Sequence, residues 1–284
     1  MSRPHWQSGR GPFRTDQVRS GDPYELSQGH PIVCAPTGHE GSEANQLGAT
    51  VLGTDPAVKR AGVDTGIALG PDTLRAPDVA VNYTPGDGTW ATAVPLAVEY
   101  AGEGQDEGDL RDKIAELHAA GTRWIWVVRL VGERRVEVHE KGSAVRVVGA
   151  DGVLTAPGVL ALPVPVRALF ERDAAHEATL RNLLAAKGYS SLDAVRQEGV
   201  DVGRREGVDV GRKQGIDEGR KEGIDAGVLA SRREVLQMLL EAAGVAVTAG
   251  DEARVASCND LAALDAWILR ARAARARADV FDAP

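Results

Sequence analysis

Short apolar runs of strand length alternate with Gly- and Pro-rich turns between Pro31 and Pro165, and this pattern predicts β-strands. Apolar and β-branched residues dominate each run, whereas the positions between the runs are polar. The sequence therefore predicts a sheet-containing domain, which we place at residues 22–170. The clearest runs are Ala49–Leu52, Gly62–Leu69, Asp78–Tyr83, Leu96–Tyr100, Trp124–Leu130, Arg135–His139 and Ala144–Val148.

One segment of this region has the periodicity of a helix. In DLRDKIAELHAA, Asp109–Ala120, the apolar residues Leu110, Ile114 and Leu117 fall on one face. Gly121 follows directly and is typical of a helix C-terminus. A strand precedes this helix and another follows it, an order that predicts a right-handed crossover between parallel strands. The expected fold class is α/β, with a mixed β-sheet flanked by helices.

A strict glycine repeat marks the second half of the chain. After a helical connector at residues 171–197, glycine recurs at every fourth position from Gly199 to Gly227, in octads such as EGVDVGRR. We predict a long helix over residues 198–230, in which the glycines let a second helix approach closely. A partly disordered spacer and a calcium-binding β-roll stay open as alternatives. Ser231–Gly244 and Asp260–Ala278 then predict a C-terminal helical hairpin within residues 231–284.

The composition excludes several classes of protein. The 284 residues carry a formal net charge of −8, and residues 22–186 hold 23 acidic and 14 basic side chains. This balance argues against bulk attraction to nucleic acid or membrane. Cys34 and Cys258 lie far apart, which excludes a disulfide framework and a zinc site built from cysteines. Residues 1–21 predict a flexible arm without a secretory signal, and no stretch is apolar enough to span a membrane, so we expect a cytoplasmic protein.

Two acids and one lysine occupy positions that suit chemistry. Asp78 stands at the front of an apolar strand, and Glu99 lies inside another, where an acid is costly to bury unless it is neutralised. Paired strands would bring these carboxylates together as hard oxygen donors of the kind that suits Mg²⁺. Lys113 lies one turn into the next helix, where its ammonium can offset charge gained in a transition state. In the alternative interpretation, Asp78 is a turn residue, Glu99 is an exposed edge residue, and Lys113 forms a surface pair with Asp109.

The order of these residues resembles the PD-(D/E)XK nuclease superfamily, and within it the Uma-type restriction endonucleases, whose catalytic lysine has moved from a strand to a helix. The likeness extends over about residues 30–170 and includes the spacing from Glu99 through Lys113 to Trp126. The matching residues are Pro77-Asp78, Val98-Glu99-Tyr100, Asp109, Lys113, Gly121 and Ile125-Trp126-Val127-Val128.

This resemblance implies a restriction-endonuclease-like α/β fold and a metal-dependent endonuclease that hydrolyses phosphodiester bonds in nucleic acid, with DNA as the expected substrate. It implies Mg²⁺ or Mn²⁺ as the cofactor. The glycine repeat and the helices after it separately predict a homodimer or higher homo-oligomer formed through residues 199–278. The competing hypothesis is a non-catalytic interaction or scaffold protein that retains the fold. The roles implied are metal ligation by Asp78, Glu99 and the Tyr100 backbone carbonyl, catalysis by Lys113, a hydrogen bond near the site from Gln105, and an additional acid supplied by Glu40 or Glu43.

Overall fold

The computed structural model describes residues 11–282, and the chain divides into two compact units, Met1–Val195 and Arg196–Pro284. Of the predicted N-terminal arm, residues 1–10 lie outside the described part. The remainder belongs to the first unit, because the backbone amides of Phe13 and Thr15 donate to Gly29 and Pro71, and Val18 is buried. Residues 11–21 therefore lie against the domain, where some of their backbone groups find partners.

Within the described residues, the first unit contains two six-stranded sheets, a two-stranded sheet and three complete α-helices. The central sheet has the order β12-β11-β10-β9-β6-β3, the outer sheet has the order β2-β1-β5-β4-β8-β7, and β13 pairs with β14. The strands are β1 (Tyr24–Ser27), β2 (His30–Val33), β3 (Ala61–Val63), β4 (Ile67–Ala68), β5 (Leu74–Arg75), β6 (Val79–Val81), β7 (Thr84–Pro85), β8 (Ala91–Ala93), β9 (Leu96–Ala101), β10 (Trp124–Arg129), β11 (Arg135–Glu140), β12 (Arg146–Gly149), β13 (Val153–Leu154) and β14 (Val164–Pro165).

The helices of the first unit are α1 (His39–Gly53), α2 (Glu107–Ala119) and α3 (Arg172–Ala186). The predicted crossover is confirmed, because β9 and β10 pair in parallel and α2 connects them. Asp106 caps α2 by accepting hydrogen bonds from the amides of Gly108 and Asp109. All other strand pairs of the central sheet are antiparallel, so the sheet is mixed and the predicted α/β class is confirmed.

Alternation along β9 gives the central sheet two buried faces. Val98 packs in the cluster that contains residues of α1 and α3, whereas its neighbour Ala97 packs with Leu117 of α2 and Ile67 of the outer sheet. Successive side chains of a strand point to opposite faces, so Glu99 is directed to the same face as Ala97. The strand register therefore directs an acidic side chain toward α2.

The strand prediction for Ala49–Leu52 is wrong, because these residues form the last turns of α1. The buried positions of α1 include Ala44, Gly48, Val51 and Leu52, which recur at helical spacing. A short apolar run does not distinguish a strand from a buried helix face, and the glycines of this segment concealed the longer period. Gly48 has a packing role: a β-carbon there would lie 1.9 Å from the Tyr100 hydroxyl, which donates to the Leu169 carbonyl at 3.0 Å.

We expect Gly48→Ala to destabilise the first unit by about 1–3 kcal/mol, because the added methyl must displace the partly buried Tyr100 side chain. Thermal unfolding followed by circular dichroism measures the effect. The matched control is Gly88→Ala in the exposed turn between β7 and β8, where a β-carbon meets nothing within 4 Å. That control should be neutral or stabilising by up to about 1 kcal/mol. Equal melting temperatures for the two variants would contradict the close approach at Gly48.

The regular structure of the second unit, as far as residue 282, is entirely helical. Helix α4 (Leu192–Ala242) includes the whole glycine repeat, so the predicted long helix is confirmed and the β-roll is excluded. Its last turns pack with α5 (Ala249–Ser257), α6 (Leu261–Ala271) and α7 (Ala278–Phe281) around Leu236, Leu264 and Trp267. The predicted two-helix hairpin differs from the structure, which has more helices. The first predicted helix is the end of α4, and the second ends at Ala271. Helix α5 begins with a Thr248/Asp251 capping box, a signal that the sequence contains.

Candidate active site

Asp78 and Glu99 meet where β6 and β9 pair. Val79 lies opposite Val98 in this antiparallel pair, so Asp78, just before β6, lies beside the end of β9. The backbone amide of Tyr100 donates to Asp78 Oδ2 at 2.6 Å. The N–H and C=O of one strand residue point to the same side of the strand, so the Tyr100 carbonyl is also on the side of Asp78. Two carboxylates and a peptide oxygen are thus grouped at one end of these strands.

Lys113 on α2 contacts Glu99 on the face of the central sheet to which the alternation of β9 directs the Glu99 side chain. Its Nζ donates to Glu99 Oε2 at 3.0 Å and to the Ala76 carbonyl at 2.8 Å. Glu99 is only 7% exposed and lies in an interior strand between β6 and β10. The alternative interpretation of Glu99 as an exposed edge residue and of Lys113 as a surface residue is therefore wrong.

Glu25 of β1 is a functional candidate that the sequence analysis missed. Its Oε1 accepts from Lys113 Nζ at 3.0 Å and from the amide of Ala76 at 3.1 Å, and its Oε2 accepts from the Arg75 guanidinium at 3.1 Å. Arg75 is 1% exposed and also pairs with Glu116 of α2. The available signal was an acid inside the short strand YELS, where a buried carboxylate requires a partner.

The charges of this cluster depend on one another. Burial raises the pKa of Glu99, although the Lys113 ammonium opposes the rise, and burial also raises the pKa of Asp78. Burial alone would lower the pKa of Lys113, but the Glu99, Glu25 and Asp78 carboxylates outweigh it and hold that pKa above its ordinary value. Lys113 is therefore a permanent cation at neutral pH, in contact with two carboxylates.

The donor set fits a hard divalent cation. Glu99 Oε1 is buried and accepts no hydrogen bond within the described residues, so it is a carboxylate oxygen without a partner. Within residues 11–282, no three His, Cys, Asp or Glu side chains form a ready metal cluster. Asp78, Glu99 and the Tyr100 carbonyl would thus leave several positions to water, as Mg²⁺ prefers. Beside them lies a cavity of about 340 Å³, whose walls include Glu25, Asp64, Asp78 and Lys113.

A family model assigns the first unit to a known group of proteins. The Uma2 model, described as "putative restriction endonuclease", matches residues 13–166, more than half of the chain. The chain belongs to the Uma2 family. A search of curated proteins found no match. Among solved structures, the chain is similar to the crystal structure of a "putative nuclease belonging to DUF820" from Anabaena variabilis ATCC 29413. The two sequences are 18% identical, and the TM-score is 0.47. The match covers 54% of this chain and 93% of that chain.

Membership of the Uma2 family confirms the resemblance found in the sequence and supports a nuclease that acts on nucleic acid. None of the described helices is long and apolar enough to cross a membrane. The Uma2 family model ends at residue 166 and leaves the glycine repeat and α5 to α7 outside the match.

The other residues that the Uma2 resemblance implied lie outside the contacts of Lys113. Glu43 pairs with Arg172, and Glu40 lies 3.8 Å from Arg134 and is exposed. The Gln105 side-chain amide donates to the Asp106 carbonyl at 3.1 Å. Glu40 and Gln105 do share the wall of a separate cavity of about 680 Å³, which Tyr100 also borders. The early acid that contacts Lys113 is Glu25, on a strand, and neither Glu40 nor Glu43 on α1.

Proposed function

We propose that the protein is a metal-dependent endonuclease that hydrolyses phosphodiester bonds, with DNA as its substrate. The proposal rests on one arrangement of side chains. Lys113 donates to one oxygen of Glu99, and the other oxygen of Glu99 has no hydrogen-bond partner among the described residues. Asp78, which accepts from the Tyr100 amide, lies beside Glu99. Membership of a family described as putative restriction endonucleases supports the same reaction class. Three groups that are distant in sequence converge as hydrolysis of a phosphodiester requires.

Each group has a separate role in this proposal. Asp78, Glu99 and the Tyr100 carbonyl would hold Mg²⁺ or Mn²⁺, which when bound would supply positive charge for activation of water and for the charge on the phosphate. Lys113 orients the attacking water or a phosphate oxygen. An ammonium has three N–H donors, and Lys113 uses all three on Glu25, Glu99 and Ala76, so it must exchange one acceptor when substrate binds. Glu25 is a positioning residue that fixes the Lys113 side chain.

Incubation of supercoiled plasmid with the purified full chain and Mg²⁺ tests the proposal. We expect nicking that a chelator removes and that added Mg²⁺ or Mn²⁺ restores, because the carboxylates alone provide no positive charge at the scissile phosphate. Absence of nicking under every metal condition would leave the non-catalytic scaffold as the better hypothesis. Nicking that persists in chelator would contradict metal dependence.

A direct binding measurement separates the metal site from catalysis. We expect Asp78→Asn to weaken Mn²⁺ binding by at least about tenfold, because the variant removes the charge of one of two carboxylate ligands. Electron paramagnetic resonance of free Mn²⁺ measures the affinity without any substrate. Asp87→Asn, an exposed loop residue, is the matched control and should bind as the unchanged chain does. Equal affinities for the three proteins would remove Asp78 from the ligand set.

Self-association through residues 199–278 is the second part of the proposal. The eight glycines from Gly199 to Gly227 have open space around them, so another helix can approach α4 closely at these positions. Deletion of residues 199–284 should leave the first unit folded and lower the number of subunits per particle, as measured by sizing with light scattering. An unchanged subunit number would contradict the role assigned to the tail. A two-fold dimer would provide one site for each strand of a duplex.

A further inference from the structure

The lining of the candidate catalytic cavity combines two kinds of side chain. Glu25, Asp78 and Lys113 are ionic, whereas Tyr24 and Trp90 are aromatic. The volume of about 340 Å³ falls within the roughly 300–1,000 Å³ of sites that bind small ligands. Such sites combine aromatic surface with a few charged groups that orient the ligand. A nucleotide has the same two parts, a flat base and a charged phosphate.

Three contacts fix the indole ring of Trp90. Its Nε1 donates to the Thr15 carbonyl at 3.2 Å, and the side chain packs against the apolar cluster that contains Leu26 and Leu74. Gly66 lies so close that a β-carbon there would be 2.5 Å from the ring. The Trp90 side chain is nevertheless only half-buried, and it lines the catalytic cavity. An aromatic ring is thus held in one position with part of its surface open to the cavity.

A fixed aromatic surface of this kind suits a flat partner. The only polar atom of an indole is its N–H donor, which Trp90 already uses on Thr15, so the ring offers the cavity its carbon surface. Aromatic side chains of proteins that bind single-stranded nucleic acid stack on bases, because every base has a face that can stack. The charged groups of the cavity therefore suit a phosphate, and the Trp90 ring suits the base beside it.

We propose that Trp90 stacks on the base of the nucleotide next to the scissile phosphate. The inference rests on the proposed function and assigns a base-stacking residue to that site. Stacking adds affinity without positive charge, which agrees with the excess of acidic side chains in residues 22–186. A base reaches the ring only when it leaves its own stack, and a base that is already single-stranded does so with the least loss of stacking energy. The inferred substrate is therefore single-stranded or locally opened DNA.

Two probes of equal charge test this role of Trp90. Both are fluorescent single-stranded 12-mers, one of dT and one of abasic units that keep the sugar and the phosphate, and anisotropy measures their binding to the full chain. Ca²⁺ replaces Mg²⁺ because it also takes oxygen donors, and gel electrophoresis of each sample confirms that the probe is uncleaved. The ratio of the two affinities measures what the bases contribute to binding. The titrations are repeated at several salt concentrations.

The variants separate stacking from packing. Trp90→Leu removes the aromatic ring, whereas Trp90→Phe keeps a ring that can stack. The matched control is Tyr189→Leu, because Tyr189 is a half-buried aromatic residue in the turn between α3 and α4 and does not line the catalytic cavity. Circular dichroism gives the melting temperature of each protein, and binding is compared where all of them are folded.

We expect the unchanged chain and Tyr189→Leu to bind the dT probe about 5- to 150-fold more tightly than the abasic probe, the range typical of one base stacked on an aromatic side chain. Trp90→Leu should remove most of this ratio by weakening the dT probe alone, and Trp90→Phe should restore most of it. The slope of affinity against salt should not change, because no phosphate contact is lost. A purely structural role for Trp90 would instead lower the melting temperature and weaken both probes equally.

The other outcomes overturn the inference in distinguishable ways. If Trp90→Leu keeps the full preference for dT, or if Trp90→Phe loses it as completely as Trp90→Leu does, the ring does not stack on a base. If the unchanged chain nicks plasmid but binds the two probes equally or binds neither, the stacking role is wrong and the nuclease proposal is unaffected. If the unchanged chain nicks no plasmid under any metal condition, the proposed function fails, and the stacking role fails with it.

Discussion

Replacing Lys113 with alanine should lower the rate of plasmid nicking by about 100- to 1,000-fold, the usual effect of removing one preorganised donor from an active site. Its ammonium is the cation that touches Glu99 and Glu25, and it lines the cavity that Asp78 borders. Initial rates with Mg²⁺ and supercoiled plasmid measure the loss. Lys141→Ala, at an exposed lysine in the turn between β11 and β12, is the matched control and should retain the full rate.

The same substitution should also lower stability, because it leaves two buried carboxylates without their common cation. The Lys113 ammonium opposes the effect of burial on Glu99, so its removal should raise the pKa of Glu99 further. Rates are therefore compared at a temperature at which circular dichroism shows both variants folded. A folded Lys113→Ala protein that nicks plasmid as fast as the Lys141→Ala protein would remove the lysine from the reaction.

Replacing Arg75 with methionine should lower the free energy of unfolding by about 3–5 kcal/mol, the range observed when one partner of a buried ion pair is removed. Arg75 is 1% exposed and pairs with Glu25 and Glu116, so its loss leaves both acids without this partner in a desolvated region. Methionine keeps most of the volume of the arginine side chain. The loss of unfolding free energy therefore reports mainly the loss of the Arg75 charge. Urea unfolding followed by tryptophan fluorescence measures the change.

The control for Arg75 is an arginine in an exposed pair. Arg123 contacts Glu140 with more than half of its side chain accessible, and Arg123→Met should change stability by no more than about 1 kcal/mol. A second variant, Arg75→Met combined with Glu116→Gln, should recover part of the loss, since one uncompensated carboxylate is gone. Similar unfolding midpoints for Arg75→Met and Arg123→Met would show that the buried network contributes little.

The part of the site that the sequence predicts is the part built from neighbouring segments. Glu99 and Lys113 lie on β9 and α2, which are consecutive elements, and the alternation of β9 fixes the face of Glu99. Their contact therefore follows from local periodicity and from the crossover rule. To place Asp78 beside Glu99, the sequence analysis needed one further assumption, that the strand after Asp78 pairs with β9. The structure shows this pairing between β6 and β9.

The strand YELS marks Glu25 as an acid that needs a partner, but its contact with Lys113 could not be predicted, because that contact depends on how the outer sheet lies against α2. Glu25 belongs to the outer sheet and contacts a helix 88 residues away in sequence, a relation that no local pattern encodes. The error at α1 had a different cause: Gly48 weakens the helical signal, although Tyr100 requires it there. Glu40 and Glu43, which the resemblance implied as the additional acid, do lie on α1, but their carboxylates pair with Arg134 and Arg172.

The spacing of the glycines in α4 determines the hand of any coil that the tail can form. An α-helix turns about 400° in four residues, so each glycine is displaced by about 40° from the one before, and the line from Gly199 to Gly227 winds about 280° around the axis. Periods above 3.6 residues produce right-handed supercoils, opposite to the heptad coil. A straight neighbour would touch two or three of these glycines, whereas a partner that touches all eight must wrap around α4 with a pitch of about 54 Å.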